Sequence, residues 1–113
     1  MEIKKVSNEK KPFDIHEWND EIKAFVKPIN SFERLVFNDF FITYYNKSND
    51  PETRFDAGFR AAMLVLVDEN DNPLFTESDR DAVFSGSFIP FSRLFNLFIE
   101  LENDEPLETL KKN

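Results

Sequence analysis

Up to about residue 29 the apolar positions of the chain run in short extended stretches. Beyond it they recur every three or four residues, so the pattern predicts a ribbon followed by helices. Phe13-Asp14-Ile15 alternates, and Ile22-Lys23-Ala24-Phe25-Val26-Lys27 is strand-like and stopped by Pro28. A turn near Asn19-Asp20 would join them as a small antiparallel ribbon. Glu21-Ile22-Lys23-Ala24 equally suits the opening of a short helix, so both readings stay open there.

Ser31, with Glu33 in the first turn, opens a helix expected to run to about Lys47. Its apolar residues, from Leu35 through Phe41 to Tyr45, point almost all the way round when placed at helical steps. Such a helix is either central to the fold or keeps one face for another chain. Asp50-Pro51-Glu52 starts the next helix with a capping acid, a proline in the first turn and an acid at the positive pole. Phe55, Phe59, Ala62, Met63 and Leu66 then form one stripe, and the helix is expected to close near Val67.

Asp68-Glu69-Asn70-Asp71-Asn72-Pro73 is dense in turn formers. Thr76 and Asp79 have capping-box spacing ahead of a short helix at about 77–84. Ser87 can cap a last helix at about 88–102, in which Pro90 falls in the first turn and costs no helical hydrogen bond. Phe91, Leu94, Phe95 and Phe98 line that helix, and Phe88, Ile99 and Leu101 widen the stripe. The expectation is a mainly α (α+β) fold, about four helices packed on a Phe-rich core with a small N-terminal β-ribbon. Residues 1–11 read as a loose arm or weak edge strand, 12–103 as one globular domain, and 104–113 as a polar tail with at most one helical turn.

Composition adds one anomaly. Fourteen Phe against two Gly in 113 residues is more aromatic surface than a domain this small readily encloses. Rings wide of the helical stripes are therefore candidates for an association surface: Phe37, Phe41, Tyr45, Phe88 and Phe98. The net charge of −8 keeps a Phe-rich chain dispersed and argues against a nucleic-acid binder. Lys4, Lys5, Lys10 and Lys11 are too few and too interspersed to reverse that. No apolar run approaches the roughly 18 residues of a membrane helix, and no membrane partner is expected.

Candidate chemistry is thin, and no catalytic residue, cofactor or metal is expected. His16 is the only histidine and there is no Cys, so a zinc site of ordinary ligand count cannot be assembled. Ser85 and Ser87 sit in a turn and a helix cap, not in a nucleophile elbow. Asp68, Asn70 and Asn72 have the spacing of the first calcium-loop ligands. The glycine that such a loop needs at its sixth position is Pro73, however, and its last position is Asp79. An acidic turn that ends a helix accounts for them.

The order of these pieces resembles the tail assembly chaperones of long-tailed phages. Their recurring pattern is an apolar helix, then V-D-E-x-G-x-x-L-F-T-x-x-D, a small-residue turn and a leucine-rich helix. Here it is matched by Val67-Asp68-Glu69, Pro73-Leu74-Phe75-Thr76, Asp79 and Arg93-Leu94-Phe95. Upstream, Glu17-Trp18, Phe25-Val26-Lys27-Pro28-Ile29 and Ser31-Phe32-Glu33-Arg34 are similar to the family's start, so the matches span about 12–103. The chain departs from the pattern with Asn72-Pro73 where a glycine is frequent and with Phe where Leu is usual.

The resemblance implies a non-enzymatic, self-associating protein of the bacterial host cytoplasm that is not retained in the mature virion. Many copies would coat the tape measure protein until tail-tube subunits displace them. It also implies a programmed frameshift near the 3′ end of the gene, with which Lys111-Lys112-Asn113 is compatible; a charged tail from an AT-rich gene explains the same residues. The alternative is a stand-alone acidic adaptor or inhibitor of a basic partner, which predicts acids in rows on one face. Asp50, Glu52, Asp68, Glu69, Glu77 and Asp79 lie instead at turns and helix starts.

Overall fold

The computed structural model describes residues 1–4 and 9–112, with side chains described up to residue 100. Among them are four α-helices and a small three-stranded antiparallel sheet on a Phe-rich core. The mainly helical α+β fold expected from the pattern is the fold observed.

The ribbon pairs β1 (Lys11–Phe13) with β2 (Ala24–Val26), with Lys11 opposite Val26 and Phe13 opposite Ala24. Helix α1 (Ser31–Tyr45) opens at Ser31 as expected, with Asn30 as its cap, and ends two residues short of the expected Lys47. The Asn30 side chain accepts from the Glu33 amide at 2.8 Å, and the Glu33 carboxylate accepts from the Asn30 amide at 3.1 Å. That reciprocal pair satisfies two amides with no helical partner. It also holds the Glu33 carboxyl below its ordinary range, chiefly through the Asn30 amide.

Helix α2 (Pro51–Val65) starts as its sequence dictates, with the Asp50 carboxylate accepting from the Thr53 amide at 2.9 Å. It ends two residues short of the expected Val67. Leu66–Val67 leave the helix as β3 and pair with β2, Phe25 opposite Val67. Val65-Leu66-Val67 suits either state by residue type, and the tertiary ladder to β2 decides it. The Lys27 amide reaches the Val65 carbonyl at 2.9 Å, and the Leu74 amide reaches that of Leu66 at 3.1 Å, which folds the Asp68 turn back on β3.

A 3-10 turn (Glu77–Asp79) leads into α3 (Arg80–Phe84), and the Thr76 amide donates to the Asp79 carboxylate at 2.9 Å. Helix α4 (Ile89–Lys112) receives the expected contact from Ser87, whose hydroxyl accepts from the Ile89 amide at 3.1 Å. Its backbone runs on through Pro106 to Lys112, where a polar tail was expected.

The core is aromatic. Phe37, Phe59 and Phe95 are fully enclosed with Val65, Leu66 and Leu94. Phe37 stacks on Phe98 with centroids 4.1 Å apart, and Phe59 stacks on Phe75 at 5.2 Å. Half of the fourteen Phe are buried, while Phe32, Phe84 and Phe88 are exposed. The surplus anticipated from composition is therefore real.

Candidate interaction surfaces

Helix α1 lies against the rest of the domain along one side only. Phe37 is its single fully buried residue, and Phe40, Phe41 and Tyr44 pack beside it on the core. At about 100° per residue those four cluster on one side, while Phe32, Leu35 and Ile42 fall within an arc of about 80° on the opposite side. All three are exposed, Leu35 by 64%. Burying each on a partner would contribute on the order of 2 kcal/mol, which is what an unpartnered ridge leaves unused. Asp39 is the charged residue inside this arc, and it too is exposed.

A second apolar surface lies where α2 begins and α3 gives way to α4. There Tyr44, Arg54, Phe55, Phe84, Phe88 and Phe91 are among the residues lining a groove of about 220 Å³. Phe84 stands on the groove edge, its ring edge-to-face on Phe55 at 4.9 Å. Arg54 is positioned by donating from Nε to the Tyr44 carbonyl at 2.9 Å, so the end of α1 and the start of α2 are tied at the groove. The volume falls below the roughly 300 Å³ at which small-molecule pockets begin and suits one or two side chains.

The five candidate residues separate. Phe37 and Phe98, at 0% and 5% exposure, are core and not association surface. Their mutual stacking across α1 and α4 removes both rings from water. Phe41 is half-buried, edge-on to Phe95 at 5.3 Å. Tyr45 is 43% exposed and Phe88 67% exposed, and both remain on the surface. Phe32, Leu35, Ile42 and Phe84 are also exposed and were not among the candidates read from the sequence. Their signal was present in the Leu35-to-Ile42 spacing of seven, masked by apolar residues on every other face of α1.

Polar clusters elsewhere are internally satisfied. At the N-terminal corner the Glu17 carboxylate receives Arg93 Nη1 and Nη2 at 2.9 and 2.6 Å. Asp14 receives both the amide and the ring Nδ1 of His16. These contacts pull both carboxyls below their ordinary range, Glu17 mainly through Arg93 and Asp14 mainly through the His16 amide. His16 is thus an exposed partner of Asp14, and the Ser87 carbonyl accepts from the Trp18 indole at 2.7 Å. In the calcium-like turn, Asp68 Oδ1 accepts from the Asn70 and Asn72 amides. The Lys10 ammonium supplies the positive charge, bonding to the Asp68 and Glu69 carbonyls and to the Asp71 carboxylate.

The segments whose order suggested the phage family lie close in space. Glu17 grips Arg93, and the Trp18 ring stands edge-on to Phe75 at 5.7 Å. Comparison of the chain with protein-family models, with curated proteins and with solved structures finds no match in any of the three.

Proposed function

We propose that this chain is a tail assembly chaperone of a phage or prophage, which binds apolar helical segments of the tape measure protein and keeps them dispersed. The observation that carries the reading is the α1 ridge. A helix whose inner face packs on the core through Phe37, Phe40, Phe41 and Tyr44 still presents Phe32, Leu35 and Ile42 to solvent. A soluble protein holds such a stripe on its surface at the risk of aggregation, and an amphipathic client helix laid along it removes that risk. The net charge of −8 gives the complex the mutual repulsion that a coated, apolar client lacks.

Binding by one ridge is weak, and many copies along a long client make it strong in sum while leaving each copy displaceable by tail-tube subunits. The protein acts before the tail is complete, in the cytoplasm of the host, and performs no chemistry. The order of Val67-Asp68-Glu69, Leu74-Phe75-Thr76, Asp79 and Arg93-Leu94-Phe95 supports the family reading beside the surface argument. Against the acidic-adaptor alternative, Glu17, Glu33, Asp50, Asp68 and Asp79 are each engaged in a cap, a turn or an ion pair.

Expression of the natural gene with several hundred downstream nucleotides, followed by intact-mass spectrometry and identification of co-purifying proteins, tests this. The reading predicts a minor longer species that shares this N-terminus, and the tape measure protein among the co-purifying proteins. A single product that carries no tape measure protein would contradict it.

A further inference from the structure

We propose that the groove between α2, α3 and α4 captures the C-terminus of a different polypeptide, one that ends in a large apolar residue. Arg54 is the one charged residue lining this groove, among the rings of Tyr44, Phe55, Phe84, Phe88 and Phe91. Arg60, Arg80 and Arg93 are each paired with a carboxylate. Arg54 has no such partner among the described residues: its Nε donates to the Tyr44 carbonyl, and neither Nη1 nor Nη2 is hydrogen-bonded there. Asp50, one turn earlier, is committed to the Thr53 amide and hydroxyl at 2.9 and 3.0 Å. In a chain of net charge −8, a half-buried guanidinium left without an acid marks a place where the acid comes from outside.

The size of the groove selects the form of that acid. About 220 Å³ holds one large side chain with little to spare. A C-terminal residue carries its side chain and its carboxylate on a single Cα, so both enter together. An acid and an apolar group one helical turn apart lie about 5–6 Å from each other and bring the width of a helix with them. Phe84 and Phe88, both exposed, leave water when the apolar side chain is seated. The two Nη groups form a fork matched to the two carboxylate oxygens. Because Nε is already fixed on the Tyr44 carbonyl, Arg54 loses little rotamer freedom when the carboxylate arrives.

The site is separate from the α1 ridge, and its test uses short peptides with no client present, so either can fail without the other. Saturation-transfer NMR on the full chain, with acetyl-Gly-Gly-Phe as the probe at physiological salt, reads weak binding whatever the size of the protein species. The free acid should saturate with a Kd of about 1 mM, as suits so small a contact. The same peptide with an amidated end, and acetyl-Gly-Asp-Phe amide, whose acid is a side chain, should each bind about tenfold more weakly. Arg54→Met should bring the acid and amide forms to equal affinity. Phe88→Ala, which leaves Arg54 and its bond to Tyr44 in place, should weaken the free acid about fivefold. Acetate, which offers no side chain, should not compete at the concentration of the peptide. Equal binding of acid and amide, a match by the Asp-bearing amide, competition by acetate, Phe88→Ala binding as tightly as the natural chain, or no saturation by about 10 mM peptide would each overturn the assignment. These outcomes are read on the natural chain and on Phe88→Ala, so they stand even where Arg54→Met does not fold.

Discussion

Glu17 and Arg93 meet fork to fork, two guanidinium nitrogens on two carboxylate oxygens, across 76 residues of chain. The same Arg93 Nη1 also donates to the Asp14 carbonyl at 2.6 Å. The start of the chain is thus fastened to the first half of α4 by one side chain, with the Trp18 indole donating to the Ser87 carbonyl beside it. Geometry of this kind is bidentate and planar, so lysine cannot replace the arginine.

The pH dependence of stability follows from this corner and from the caps of α1 and α2. Glu17, Asp14, Glu33 and Asp50 all have folded-state pKa values below their ordinary ones. A lowered carboxyl contributes stability that is fully present above the unfolded value and is lost as pH falls through the folded value. The melting temperature should therefore hold steady at neutral pH and fall progressively below about 4.5, the ordinary Glu value. Arg93→Met should lower the melting temperature at pH 7 by a few degrees and shrink the acid-induced fall, since the contribution of Glu17 is already absent. An acid fall of the same size in the variant would mean that the pair does not stabilise the fold.

Phe37 and Phe88 make a contrasting pair, one enclosed and one in water. Phe37→Ala should lower the unfolding free energy by about 3–5 kcal/mol, the range for emptying a buried aromatic site. Phe88→Ala should lie within about 0.5 kcal/mol of the natural chain. Urea unfolding followed by circular dichroism measures both, and comparable losses would place Phe88 in the core.

Gly58 of α2 faces the Tyr44 ring of α1. A Cβ there would sit 2.8 Å from Tyr44 Cδ2 and 3.0 Å from Cε2. The Tyr44 ring is itself held by Phe95, at 4.8 Å, and by Tyr45, at 5.0 Å, so it has little room to yield. Alanine gains up to about 1 kcal/mol of helix propensity over glycine, while overpacking costs about 1–3 kcal/mol. The clash wins: Gly58→Ala should lose about 1 kcal/mol and Gly58→Val more, read from the urea midpoint. A stabilised alanine variant would show that the ring can move aside.

Trp18 is the only tryptophan and reports on the docked ribbon. Its ring lies edge-on to Phe91 at 5.2 Å as well as to Phe75, half-buried between ribbon and helices. Emission should be blue-shifted, and its thermal transition should coincide with loss of helical signal if ribbon and helices melt as one unit. A red shift that precedes helix loss would separate the ribbon as an independently opening element.

Local signals were the readable ones. Asp50-Pro51-Glu52, Thr76 with Asp79, and Ser87 with Pro90 each placed a helix start correctly, because a cap is a contact between residues at most three apart. The ribbon was readable because its strands lie close in the chain and alternate. Leu66–Val67 was not, since its strand state depends on pairing with Phe25 and Val26, some forty residues away. The same limit explains the candidate surface. Tyr45 and Phe88 are exposed as expected, yet Phe37 and Phe98 are buried against each other, and an α1 apolar on every side gave no means of telling the inner face from the outer. The positions of α2 and α4 against α1 decide which of its faces is the ridge.

Co-expression with the tape measure protein tests the central claim most directly. The quantity is the soluble fraction of that protein alone, with the natural chain, and with the Leu35→Glu variant, whose fold should be intact. The account predicts that the natural chain carries most of the tape measure protein into the soluble fraction and that Leu35→Glu leaves it in the pellet. Equal solubility with and without the chain, or full rescue by Leu35→Glu, would contradict the claim that the α1 ridge holds the client.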